Sequence, residues 1–159
     1  MALKYGGMGL MVMGTLAVLV GCAETGGVNG SGRPLGGSTA TKSLYERLGG
    51  KPAITAVVDQ FVANVAADGR INSRFASTDI PRLKGHLVDQ VCSATGGPCR
   101  YQGRDMKRTH VGMQISNTDF VALVQDLVAA LDKFNVPAGE KNELLGLLGP
   151  MKKDIVEVP

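Results

Sequence analysis

Two stretches of helical period, each carrying one of the chain's only two histidines, are separated by Gly96-Gly97-Pro98. A regular helix does not run through such a triplet, because glycine ends helices readily and proline cannot continue them. The chain can therefore fold back there and bring His86 and His110 towards each other. Two neutral imidazoles facing across a gap are a candidate site for a metal or a flat metallo-cofactor. Hydrophobic residues make up 44% of the sequence but aromatics only 4%, with no tryptophan. The core must then come mainly from Val, Leu, Ile, Ala and Met, which interdigitate well across helix faces. At 159 residues the length fits one domain of ordinary size. A net charge of +3 with both signs spread along the chain gives no nucleic-acid footprint. The basic run Arg100, Arg104, Lys107 and Arg108 reads as a solvated helix face, or as cations for the carboxylates of a bound ligand.

Residues 1–21 read as a targeting segment. Lys4 supplies a positive start, and Met8 to Val20 is an apolar run too short and too glycine-rich for a membrane span. The run ends in Leu19-Val20-Gly21-Cys22, which resembles the lipobox of bacterial lipoproteins. That resemblance implies cleavage before Cys22, acylation of its thiol and export to the outer side of a membrane, periplasmic or extracellular. By the sorting of such lipoproteins in double-membrane cells, Ala23 would favour the outer membrane. The alternative is an ordinary secretory signal in which Cys22 is incidental. Residues 22–41, rich in Gly, Ser, Thr and Asn, read as a flexible tether. In an oxidising compartment, Cys92 and Cys99 read as a disulfide across a tight turn. Metal ligation is the alternative, but no third or fourth ligand lies nearby in sequence.

Residues 42–158 read as an all-α domain. Ser43 to Leu48 forms a short helix stopped by Gly49-Gly50. Ile54, Val57, Val58, Phe61 and Val65 follow at helical spacing. Pro81 to Ala94 carries a stripe of Leu83, Leu87, Val91 and Ala94, with His86 beside it. Met106, His110 and Met113 fall at i, i+4, i+7 on one face. Ser116 and Asp119 read as a capping box opening a long helix, with Phe120, Leu123, Val124, Leu127, Leu131 and Phe134 as its apolar face. Pro137 starts a last helix carrying Leu144, Leu145, Leu148, Met151 and Ile155. No internal repeat is visible, and no strand-like alternation persists.

In order along the chain stand Leu44-Tyr45-Glu46-Arg47-Leu48-Gly49-Gly50, Asp59-Gln60-Phe61, Arg70-Ile71 leading to Phe75, and Arg82-Leu83-Lys84-Gly85-His86. Gly96-Gly97-Pro98, Tyr101-x-Gly103, Met106-Lys107, His110-x-Gly112 and Ile115-Ser116 leading to Phe120 follow. This series resembles a truncated globin of the first group over nearly the whole domain. The resemblance implies a two-over-two helical sandwich around a non-covalent haem b. It makes His110 the proximal iron ligand through the M-x-x-x-H-x-G signature. It makes Phe75 the phenylalanine that wedges the haem, with Phe61, Leu83, Leu87, Met106, Met113 and Phe120 as further pocket walls. Lys84, Arg104 and Lys107 are the candidate propionate partners.

The distal side departs from the family. Many members carry a tyrosine where this chain has Val62, and glutamine at the positions of Leu83 and Leu87. The donors that hold a bound gas are thus missing, and tight oxygen binding of the family's usual kind is not expected. His86 matches a position where some members place a histidine that coordinates iron; otherwise it points to solvent or a propionate. No Cys-x-x-Cys-His occurs and the last helix has no histidine, which excludes those routes to covalent haem. The function implied is reversible binding of a diatomic gas (oxygen, NO or CO), in transport or sensing, and no catalytic residue is assigned. The alternatives are electron transfer by a bis-histidine haem with a redox partner, nitric oxide dioxygenation fed by a separate reductase, and a structural lipoprotein without haem.

Overall fold

Ser43 opens the first helix with a capping box: its hydroxyl accepts the Glu46 N–H, and the Glu46 carboxylate accepts the Ser43 N–H at 2.8 Å. The computed structural model describes residues 41–158; the expected signal segment, Cys22 and nearly all of the expected tether lie outside the described residues. The helices are α1 (Leu44–Arg47), α2 (Gly50–Ala67), α3 (Ile80–Ala94), α4 (Met106–His110), α5 (Asn117–Lys133), α6 (Ala138–Leu148) and α7 (Lys152–Ile155). Short 3₁₀ turns span Asn72–Phe75 and Gly149–Met151. Among the described residues there is no strand, only one isolated parallel bridge between Ser116 and Val158. No described helix is long and apolar enough to cross a membrane.

Helix α2 is the centre of the packing, lying against both α3 and α5. It buries Ile54, Val58, Phe61, Val62 and Val65 against Ile71, Val88 and Cys92, and against Ala122 and Ala130 of α5. The two alanines are fully buried, and such small side chains let helix backbones approach closely. A second cluster joins Leu44, Leu131 and Leu144, tying α1, α5 and α6 together. Arg47 reinforces this junction from the surface by pairing with Glu140 at 3.0 Å and with Glu143.

Two helices end in Schellman motifs that set the direction of the chain. After α3, Gly96 is left-handed at φ +84°, its N–H donates to Ser93 O, and the Gly97 N–H donates to Cys92 O at 2.8 Å. After α5, Asn135 takes the left-handed place at φ +53°, and the Val136 N–H donates to Leu131 O at 3.0 Å. Val136 then packs against the cluster that contains Leu131, the hydrophobic contact characteristic of the motif.

The structure corrects three local expectations. Helix α4 stops at His110, so Met113 is not on its face; it lies 41% exposed, past Gly112 at φ +81°. The last helix is interrupted at Gly149-Pro150, because the proline has no N–H to donate to the α6 ladder. Phe134 caps α5 with its side chain 44% exposed and is not part of the buried face.

The reversal at Gly96-Gly97 leaves no room for a side chain. A Cβ on Gly97 would stand 2.5 Å from Tyr45 Cδ2, 2.7 Å from Cys92 Sγ and 2.8 Å from Cys92 O. Gly97→Ala is expected to cost about 1–3 kcal/mol through overpacking. A urea titration should show a lower midpoint at unchanged slope. A wild-type midpoint would mean that Tyr45 and Cys92 yield freely.

Candidate functional site

His110 is the last residue of α4, a helix of five residues whose start is fixed by Asp105, which accepts the Arg108 N–H at 2.8 Å. Its Nδ1 lies 2.7 Å from the carbonyl oxygen of Met106. A carbonyl only accepts, so Nδ1 carries the proton and Nε2 keeps its lone pair. An imidazole held in this tautomer by a backbone carbonyl is ready to bind a metal through Nε2.

Two long-range anchors hold the turn that follows. The Glu157 carboxylate accepts the Gly112 N–H at 2.8 Å and the Gln114 N–H at 2.6 Å. Beside that carboxylate, the Glu157 and Val158 N–H groups donate to Ile115 O at 2.9 and 3.2 Å. From the other side, Arg74 donates to Met113 O at 2.8 Å and pairs with Asp119 at 2.7 Å. Asp119 is itself bound by the Ser116 N–H and hydroxyl, and these bonds, with Arg74 beside them, hold its carboxyl below the usual carboxylate range. Neither Glu157 nor Arg74 is marked by the sequence pattern, since their partners lie 39 to 45 residues away.

His86 sits half-buried on α3, edge-on to the ring of Tyr101, with centroids 6.2 Å apart and planes at 71°. The Tyr101 hydroxyl donates to Arg104 O at 2.8 Å, and burial with Asp105 nearby pushes its phenol pKa upward. One turn beyond His86, the Gln90 amide reaches the thioethers of Met151 at 3.2 Å and Met106 at 3.8 Å. Gln90 thereby links α3 to α4 through weak sulfur acceptors. Neither Tyr101 nor Gln90 stood out as a site residue in the sequence; the Tyr101-x-Gly103 motif was the one available signal.

The other nominated residues divide into three groups. Leu83, Leu87, Met106 and Phe120 are half-buried, as is Phe75 at the end of its 3₁₀ turn. Phe61 is buried in the core with Val62 beside it, where α2 meets α3 and α5. Lys84 is engaged elsewhere, paired with Asp59 of α2 at 2.9 Å. Arg104 and Lys107 are exposed and make no ion pair among the described residues. Arg108 pairs with Asp105 at 3.4 Å. Met113 borders an open hollow of about 400 Å³ beside Arg70, Ser73 and Arg74. Cys92 and Cys99 form a disulfide with Cα atoms 5.7 Å apart. Among the described residues, no three His, Cys, Asp or Glu side chains gather into a metal centre.

The bacterial-like globin family matches residues 43–157. The chain belongs to that family. It is 36% identical over 113 residues to a group 1 truncated haemoglobin of Mycolicibacterium paratuberculosis, covering 71% of this chain and 83% of that protein. The crystal structure of the Fe(III) truncated haemoglobin of Tetrahymena pyriformis superposes with a TM-score of 0.70 at 32% identity, covering 72% of this chain and 98% of the other. A two-over-two haemoglobin of a Synechococcus species, solved in the cyanomet state with covalently attached haem, gives 0.69 at 32% identity, with the same coverage.

Haem b is the cofactor of this globin, and the chain's own geometry fits it. His110 has a proton-fixed Nδ1 and a free Nε2, while large apolar side chains on α3 and α5 remain half-covered, as a flat macrocycle requires. Because the Glu157 carboxylate accepts two N–H groups of the turn after His110, Glu157→Ala is expected to speed haem loss about tenfold, the usual scale for removing an outer-shell support. Transfer of haem to an excess of apomyoglobin measures that rate. An unchanged rate would remove Glu157 from the support of His110.

Proposed function

We propose that this globin holds haem through Nε2 of His110 and reversibly binds a diatomic gas, oxygen, NO or CO, on the side facing α3. The observation that carries the reading is the 2.7 Å contact of His110 Nδ1 with Met106 O. Haem held there would supply an iron able to bind a diatomic gas reversibly. The chain's task is to hold that iron, exclude water and set what faces the open position. Leu83 and Leu87 bring hydrocarbon to α3, and Val62 is buried in the core, so none of the three offers a hydrogen bond. A pocket walled this way holds oxygen less tightly than one with donors, because a charge-bearing ligand gains about 1.5–3 kcal/mol from each good donor. His86 adjoins Leu87 on α3, and it competes with an external gas wherever it reaches the iron.

The full chain loaded with haem and reduced with dithionite tests the reading. One haem per chain and a carbon monoxide difference spectrum are expected. His110→Gly should lose most of its haem and recover it with added imidazole. A His110→Gly spectrum identical to the parent would overturn the assignment. A split low-spin spectrum in the parent that turns high-spin in His86→Ala would bring the bis-histidine electron-transfer reading forward.

We further propose that Cys22 carries a lipid and that residues 22–41 tether the globin outside a membrane. Support comes from Lys4, the apolar run Met8 to Val20 and the Leu19-Val20-Gly21-Cys22 motif. Two acyl chains suffice for stable attachment, whereas one gives only marginal binding. Cells fed a labelled fatty acid should mark the chain, and Cys22→Ser should abolish the label. Labelling that survives the substitution would exclude this site.

A further inference from the structure

We infer that Tyr101 is a positioning residue for His86, holding the imidazole in an edge-on stack and so opposing its binding to the haem iron. The inference rests on the haem reading above. It starts from how rigidly Tyr101 is held. Its hydroxyl donates to Arg104 O at 2.8 Å. Its ring lies over Gly103, where any Cβ would collide with the phenol oxygen and the ring carbons. Two residues upstream, Cys99 is bonded to Cys92 of α3, the helix that also carries His86. Tyr101 is thereby fixed relative to the backbone of His86, and the flexible partner is the imidazole.

The His86 ring meets Tyr101 at 6.2 Å and 71°, the T-shaped arrangement that aromatic quadrupoles favour. In this proposal an imidazole bound to the iron leaves the stack, so stabilising the stack depopulates the iron-bound position. The strength of an aromatic pair corresponds to a change of about three- to tenfold in the ratio of His86-bound to His86-free haem. This chain has no hydrogen-bond donor at Val62, Leu83 or Leu87. Control of gas access then falls to the position of His86, and through it to Tyr101.

The test uses the full chain loaded with haem, comparing the parent with His86→Ala, Tyr101→Leu and Tyr101→Phe. Tyr101→Leu removes the ring and should raise the low-spin to high-spin ratio about three- to tenfold. The rise should vanish when His86→Ala is added. Tyr101→Phe keeps the ring but loses the bond to Arg104, and should move the ratio the same way by less. In the haem-free chain, NMR should show the His86 ring protons losing their ring-current shift in Tyr101→Leu and keeping most of it in Tyr101→Phe. Retained haem with an unchanged or lowered ratio in both Tyr101 variants overturns the inference alone. Failure of every form to retain haem overturns the haem reading and the inference with it.

Discussion

The structure depends on one tight chain reversal. At the end of α3, a left-handed Gly96 and a side-chain-free Gly97 let the backbone turn back on Cys92. The Tyr45 ring fills the space that a Gly97 side chain would occupy, and it also approaches Gly50 at the start of α2. The Tyr45 N–H donates to Thr95 O at 2.9 Å, and its hydroxyl accepts the Lys51 N–H at 3.0 Å. Two glycine pairs almost fifty residues apart in sequence thus converge on one aromatic ring. The Cys92–Cys99 disulfide closes the same turn, with Cys92 fully buried beneath it. A short covalent loop of this kind mainly restricts the unfolded chain. Here it also fixes where the segment leading to α4 departs from α3.

From that reversal the histidine-bearing helix is built by local and distant contacts together. Five residues are too few to form a stable helix by propensity alone. Asp105 caps the start of α4, and the segment after α7 supports the turn at its end through Glu157. Arg74 draws the same turn towards α5 through Met113 O and Asp119. The position of His110 therefore depends on the C-terminal segment as much as on its own helix. Its tautomer is local, set within one turn by Met106 O.

This division explains what the sequence could and could not reveal. The helix order, the capping box at Ser116, the disulfide partners and the placement of His86 and His110 on helices were legible, because each rests on short-range spacing. The face assigned to Met113 was not, since helical period was extended past Gly112, where the backbone turns left-handed. The break at Gly149-Pro150 is hidden in the pattern because the apolar spacing of Leu148, Met151 and Ile155 continues across it. Lys84 suited a propionate on charge alone, yet Asp59 on the neighbouring helix takes it. Glu157, Arg74 and Gln90 acquire their roles only when distant segments meet, and no periodicity carries that information.

The same contrast bears on how such a globin selects what it binds. A donor built into the distal wall favours the ligand able to accept a hydrogen bond, and it does so by direct contact. This chain has hydrocarbon at Val62, Leu83 and Leu87, and on the reading proposed above that means of discrimination is absent. Competition by an internal side chain discriminates differently: it weakens every external ligand by the same factor, and the strongest iron binders remain. That factor is the inverse of the fraction of chains in which the competing side chain is off the iron, a fraction that contacts made by that side chain elsewhere can tune. The stack of His86 on Tyr101 and the bond of Tyr101 to Arg104 are contacts of that kind. On the proposal that His86 competes for the iron, gas affinity follows the packing of the segment between Cys99 and His110, which the disulfide holds at one end and Glu157 just beyond the other.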